Sequence, residues 1–410
     1  MKKKTDHDAD VIVVGGGLAG LTLAAFLGQS GVSVICIDRE DPAATLKAAF
    51  DGRTTAISWG SRQILEKTGI WERLAPASCP INTIQILDGE SPVLLQFAHT
   101  EVEGRTFGWI AENLDMRRQM LKAARALKTV LHIAPAVVSD FTVGDGSVAV
   151  HLADGRVFRA ALVIGADGRN SFVREWMGIG ARGWSYRQRA IVCTATHEHP
   201  HKNIAVEHFR HEGPFAILPM NDDESGHHRS SIVWTEHGPE KGSALRYDQE
   251  TFDAALQARF PAWYGRVRQT GGRFSYPLGL LHAHNYIAPR MALAAEAAHA
   301  MHPIAGQGLN MGLRDIEALA ELVAAACESG EDPGGEALLQ TYQRRRRLDN
   351  MSMAGATDLL NRLFSNDAAS LRGARRMGLR FVSRLPAAKK FFMKQAMGLS
   401  ALRSEKTRKK

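Results

Sequence analysis

Apolar positions along the chain follow two textures. At the start, Val11-Ile12-Val13-Val14 is unbroken and reads as a buried strand. It stops at Gly15-Gly16-Gly17, and a helical run follows through Leu21-Thr22-Leu23-Ala24-Ala25-Phe26-Leu27. After Gly31 a second apolar strand, Val32-Ser33-Val34-Ile35-Cys36-Ile37, ends in Asp38. Helices are predicted over 61–68, with Ile64 and Leu65 on one face, and over 114–128. Residues 81–102 alternate apolar and polar, as strands do. A hairpin follows, with Val148-Ala149-Val150 turning at Asp154-Gly155 into Val157-Phe158. Ala161-Leu162-Val163-Ile164 then predicts a third parallel strand beside the first two.

From residue 182 to about 276 the texture changes. Short β-rich runs separated by polar loops predict an antiparallel sheet in a second domain. The first texture returns at Met291-Ala292-Leu293, and Pro303-Ile304-Ala305-Gly306 opens a long helix to Cys327. Beyond the linker Glu331-Asp332-Pro333-Gly334-Gly335, a helix leads through Tyr342 into Arg344-Arg345-Arg346-Arg347, and amphipathic helices are predicted to the end. The fold class is therefore α/β: a Rossmann-like domain with a parallel sheet, a second α+β domain with an antiparallel sheet, and a C-terminal helical tail. The first domain is expected to be discontinuous (1–77, 105–182 and 276–343), the second to comprise 78–104 and 183–275, and the basic helical region to span 344–410.

Composition narrows the function classes. At 410 residues, 45% hydrophobic and 23% charged, the chain is an ordinary globular protein with room for two domains. No apolar run approaches the ~20 residues of a membrane span. Lys2-Lys3-Lys4 is followed by Asp6, Asp8 and Asp10, which argues against a secretory signal. Cys36, Cys79, Cys193 and Cys327 are scattered and read as free thiols in a reducing, cytoplasmic setting. Net charge is +8, but from 344 onward eighteen Lys and Arg face four Asp and Glu, a net of +14 that leaves −6 for the rest. Such a tail suits a peripheral anionic membrane surface or a biosynthetic complex. It lacks the interleaved aromatics of a nucleic-acid site. His197, His199 and His201 alternate, yet Pro200 places them in a loop, and no metal is assigned.

The glycines match G-x-G-x-x-G as Gly15, Gly17 and Gly20, with Asp38 about 20 residues on, where a ribose hydroxyl is held. Only one such motif exists, so there is no second nucleotide domain. Arg53, soon after this start, can reach a pyrophosphate, although taken alone an arginine there is more often a surface residue.

Three segments together resemble a known family: Gly15–Gly20 with Asp38; Gly165-Ala166-Asp167-Gly168; and Ala295-Glu296-Ala297-Ala298-His299 with Pro303 and the run from Gly306 to Asp315. They are similar to the FAD-dependent aromatic hydroxylases, the p-hydroxybenzoate-hydroxylase-like flavoprotein monooxygenases. Asp51-Gly52-Arg53-Thr54-Thr55-Ala56, Glu112-Asn113 and the ending from Phe391 to Leu399 look like the ubiquinone-biosynthesis branch. The resemblance implies FAD held by Gly15, Gly17, Leu18, Ala19, Gly20 and Asp38, with Arg39 beside the ribose. It implies Asp167 near the ribityl chain and pyrophosphate, and Glu296 on a ribityl hydroxyl. Pro303, Gly306, Gln307, Gly308, Leu309 and Asn310 should border the flavin ring, and Arg53 and Arg117 should face the cofactor. The family usually has Gly-Asp where this chain has Ala295-Glu296.

The implied activity is hydroxylation of a polyprenylated phenol through a flavin hydroperoxide, with dioxygen as co-substrate and NAD(P)H or a protein donor as reductant. No side chain is assigned as catalytic; His299 and His302 read as structural. The rival readings are a flavoprotein reductase or oxidase of an isoprenoid substrate and a non-catalytic flavin-binding scaffold.

Overall fold

The computed structural model describes residues 7–47, 52–89, 94–210, 213–238, 242–301, 306–364 and 385–399. His302, Pro303 and most of the basic tail lie outside them.

Ala9–Val14 is the centre of the first sheet. It pairs in parallel with Val34–Ile37 on one side and Val157–Gly165 on the other, with Val130–Ile133 and Met291–Leu293 beyond. Val11, Ile12 and Val13 are fully buried, as an unbroken apolar run requires. Helix Leu18–Gln29 packs on this sheet with helix Gln307–Ser329, through Leu21, Leu23, Leu27, Leu313, Ile316 and Leu319. The expected hairpin is present, Val148–Leu152 against Val157–Gly165.

The second sheet has eight strands, built on two long ones, Ala181–His197 and Val267–Ala283. It is not purely antiparallel: Ile204–Arg210 lies parallel to Thr83–Asp88, an edge the alternation at 81–102 did not reveal. One face carries Ile191, Phe215, Ile217 and Trp234 against helix Gln249–Gln257. The other face turns toward a small three-stranded sheet of Thr54–Ser58, Gly108–Glu112 and Cys79–Ile81, where Thr54 and Ser231 join hydroxyls at 2.8 Å. Thr54–Ser58 was not foreseen as a strand.

The expected break at 343/344 falls inside one continuous helix, Glu336–Phe364. Arg346 is buried in it, not solvated with a basic tail, whereas Arg344 and Arg345 are exposed. Its partner is Asp315, a fully buried carboxylate. Asp315 Oδ1 accepts from Arg346 Nε at 2.7 Å and Asn350 Nδ2 at 3.0 Å. Oδ2 accepts from the Ala295 amide at 3.1 Å and pairs with His299 Nε2 at 2.6 Å. Burial alone would raise the Asp315 pKa, but the His299 and Arg346 charges outweigh it and hold the carboxyl far below its ordinary range. Its contribution to stability is present at neutral pH and is lost only as pH falls through that depressed value.

A short helix, Pro386–Ala396, folds back on the body. Met393 and Met397 are buried with Ile81, Phe97 and Ile110, the Gly60 amide donates to the Met397 carbonyl at 2.9 Å, and Lys389 meets Glu101.

Removing one member of a buried ion group leaves the others uncompensated. Asp315→Ala should therefore lower unfolding free energy at pH 7 by about 3–5 kcal/mol, read by chemical denaturation.

Candidate active site

The glycine turn explains itself sterically. Gly15 sits at φ +108°, and a Cβ there would lie 2.5 Å from the Ala166 carbonyl oxygen. A Cβ on Gly20 would lie 1.8 Å from the Gly15 oxygen, so only glycine lets helix Leu18–Gln29 start this close to the strand end. Space beside Gly17 is open, and no side chain caps the helix, whose first amides remain available to an anion. Leu18 and Ala19 belong to that first turn.

Asp38 closes the second strand beside this turn, accepting from the Glu40 amide at 3.1 Å, and burial raises its pKa. A cavity beside it is lined by Gly16, Leu21, Pro42, Leu46, Arg117 and His132. Arg117 borders that cavity and is ion-paired to Glu40 at 2.9 Å. Arg39 is exposed. Arg53 is also exposed, its guanidinium 5.5 Å from the Tyr276 ring centroid.

Asp167 lies beside the glycine turn, its Cα 2.8 Å from a would-be Cβ on Gly15. Its carboxylate accepts from Ser171 Oγ at 2.5 Å and the Val173 amide at 3.1 Å, serving the start of helix Phe172–Trp176.

Glu296 is exposed on the 3₁₀ turn Ala295–Ala297, between buried alanines, and no hydrogen bond engages it among the described residues. Ala295 holds φ +55°, the left-handed region that costs a non-glycine residue about 1–2 kcal/mol. The Asp315 bond to its amide helps pay for that conformation. The unusual Ala-Glu pair thus keeps the backbone that Gly-Asp would adopt freely.

Gly306 begins the long helix at φ +61°, with a would-be Cβ 2.8 Å from Ala56 Cβ. No side chain caps this helix either, and the space at Gly308 is open. Gln307 is buried and Leu309 half-buried. Asn310 does not face outward: its amide group donates to the carbonyls of Ala56 and Gly306, both at 2.8 Å, and accepts from the Ser58 amide at 3.0 Å. It locks strand Thr54–Ser58 onto the helix start. The site therefore offers two uncapped helix N-termini, a cavity beside Asp38 and one unengaged carboxylate, a donor set that fits a dinucleotide flavin.

Sequence reasoning missed Thr54, Ser58, Glu207, Asp315 and Arg346 as parts of this arrangement. Asp315 did carry a signal, as a charge on the apolar face of a long helix. His197 and His201 are held internally, by Ser230 Oγ and the Met220 carbonyl. Burial pushes the Cys36, Cys79 and Cys193 thiols up to about 12, so none is a ready nucleophile.

If Glu296 grips the ribityl chain, Glu296→Ala should weaken FAD retention on gel filtration about tenfold or more, and Glu296→Asp should retain it. Equal retention in both variants removes the residue from the cofactor site.

The FAD binding domain family matches residues 8–356. A ubiquinone hydroxylase of Rhodospirillum rubrum is 46% identical over 98% of this chain and 92% of its own length. The 3-demethoxyubiquinol 3-hydroxylase of Escherichia coli is 32% identical over 96% and 100%. The human mitochondrial ubiquinone biosynthesis monooxygenase is 32% identical over 92% and 89%. Among solved structures, p-nitrophenol 4-monooxygenase of Pseudomonas putida shares the fold with a TM-score of 0.78 at 19% identity, covering 95% of this chain and 98% of that one. The chain belongs to the FAD binding domain family, and within it to the FAD-dependent monooxygenases of the ubiquinone-hydroxylase branch.

Proposed function

We propose that the protein hydroxylates the aromatic ring of a polyprenylated phenol in ubiquinone biosynthesis, taking electrons from NAD(P)H or a protein donor. The observation that carries this reading is the uncapped helix start at Gly306, set against Thr54–Ser58 and facing the apolar side of the second sheet. The names of the relatives, which are hydroxylases of ubiquinone precursors, support the substrate class.

Bound FAD supplies activation of dioxygen and delivery of one oxygen atom to the ring. The chain's own residues do the rest. Gly15, Gly17 and Gly20 admit the pyrophosphate to backbone amides, and Asp38 accepts from the ribose. Glu296 accepts from the ribityl chain, and the dipole at Gly306, Gln307, Gly308 and Leu309 stabilises negative charge on the reduced ring. Asn310 keeps that helix start from shifting against Ala56 and Ser58. Ala190, Val192, Leu278 and Val233 present an apolar wall that excludes water from the reacting ring.

The C-terminal region serves delivery at a cytoplasmic membrane surface. No helix among the described residues is long and apolar enough to cross a bilayer. Yet half of the twelve exposed large hydrophobics among the described residues lie there: Leu348, Met351, Leu359, Leu385, Phe391 and Phe392. Phe391 and Phe392 are 58% and 48% exposed between exposed Lys390 and Lys394, a pattern that suits a peripheral helix on anionic lipid.

With labelled dioxygen, the hydroxylated product should carry one labelled atom; an oxidase or reductase leaves none in the product. Phe391→Ser with Phe392→Ser should cut flotation with anionic vesicles several-fold while leaving FAD content intact, and unchanged flotation removes this helix from the membrane contact.

A further inference from the structure

Strand Ile204–Arg210 alternates its side chains between the two faces of the second sheet. Ile204 and Val206 join the core under helix Gln249–Gln257, whereas Ala205 joins the opposite cluster with Ile81, Phe97 and Met220. Glu207 shares the face of Ala205. Its register neighbours are Ile86 on one side and Ala216 on the other, and the row continues through Val233, Val192 and Phe274. Every other member of that row is apolar. The row ends against Gly52, where a Cβ would lie 2.7 Å from the Phe274 ring, and Ser231 on the same face is bonded to Thr54. This is the wall that faces the strand on which Gly306 rests.

Glu207 has no hydrogen-bond or ion-pair partner among the described residues, and desolvation alone pushes its pKa up to about 7. The side chain is half-buried and keeps partial access to water, so it is not sealed in the core. A desolvated carboxylate without a partner among the described residues destabilises the folded chain. A side chain that costs stability where apolar neighbours would fit is a mark of function.

The geometry points to Glu207 as the catalytic residue that receives the ring hydroxyl of the substrate and takes its proton as oxygen is transferred. The phenol O–H bond breaks and a carboxyl O–H bond forms. The freed electron pair on the phenol oxygen is drawn into the ring, toward the carbon that gains oxygen. As the ring regains aromaticity that carbon loses its hydrogen as a proton to water, and Glu207 returns its own proton to the ring oxygen or to water. No oxidant or reductant is required beyond those of the hydroxylation itself. The inference rests on the monooxygenase reading and assigns its proton acceptor.

The sign of the pH dependence follows. Glu207 is competent as an acceptor only when ionised, so kcat/KM of the holoenzyme with a short-chain prenylated phenol should rise through about pH 7 to a plateau. Glu207→Gln keeps the shape but cannot take a proton. It should bind FAD normally, lose the rising limb and fall about 100-fold on the plateau. A fluorinated phenol of lower pKa should recover much of that loss, and Glu207→Asp should keep the limb. A raised folded pKa weakens the fold above the unfolded value, so Glu207→Gln should also melt higher than the parent at pH 8 and equally at pH 4. A Gln variant with parental rate and limb, or one that melts lower at pH 8, overturns the assignment. If the parent itself places no labelled oxygen in the product, the monooxygenase reading fails instead. Glu207 is then judged by the phenolate absorbance of bound phenol, whose persistence in the Gln variant overturns it and whose loss supports it.

Discussion

One buried carboxylate decides how the site is held. Asp315 takes a guanidinium, an imidazole, a carboxamide and a backbone amide, from two segments, Ala295 to His299 and helix Glu336–Phe364. Taking such a group out of water is expensive, and only complete pairing offsets it. The arrangement therefore tolerates one relative position of the Ala295–Ala297 turn, helix Gln307–Ser329 and helix Glu336–Phe364. Glu296 stands on that turn, and the helix that carries Asp315 also begins at Gly306. A charge about two and a half turns beyond Gly306 thus holds in place both the turn that carries Glu296 and the helix start proposed to face the cofactor.

What could be read from the residues was what is local. A strand, a glycine turn and a helix occupy the consecutive positions Ala9–Gln29, and the steric demand at Gly20, set by the Gly15 carbonyl, is complete within them, whereas that at Gly15 is set by Ala166. The carboxylate at Asp38 follows from the same unit. What could not be read is what neighbours decide across long separations. Asp167 has the composition of a cofactor contact, but Ser171 four residues on offers it a nearer partner. Asn310 looks like a ring-facing amide, yet Ala56 and Ser58, some 250 residues earlier, occupy its hydrogen bonds. Arg346 is indistinguishable within a run of four arginines until the helix phase places it, alone of the four, among buried groups.

The departure from Gly-Asp to Ala-Glu is instructive for the same reason. A methyl at a left-handed position is unfavourable in isolation, and here a hydrogen bond from the same amide to Asp315 opposes relaxation. The longer glutamate arm then starts from an unchanged backbone. Local rules are broken where the surroundings enforce a geometry that chemistry needs, and Glu207 in an apolar cross-strand row is a second instance.

The parallel pairing of Ile204–Arg210 with Thr83–Asp88 carries a consequence for biogenesis. The two partners are separated by more than a hundred residues, so the wall bearing Glu207 is finished only when an early segment, waiting since synthesis, is recruited to a late one. Until then the later strand exposes a bare, largely apolar border of the kind that recruits other chains. A truncated product lacking the early segment would be a substrate for chaperones before it was ever a catalyst.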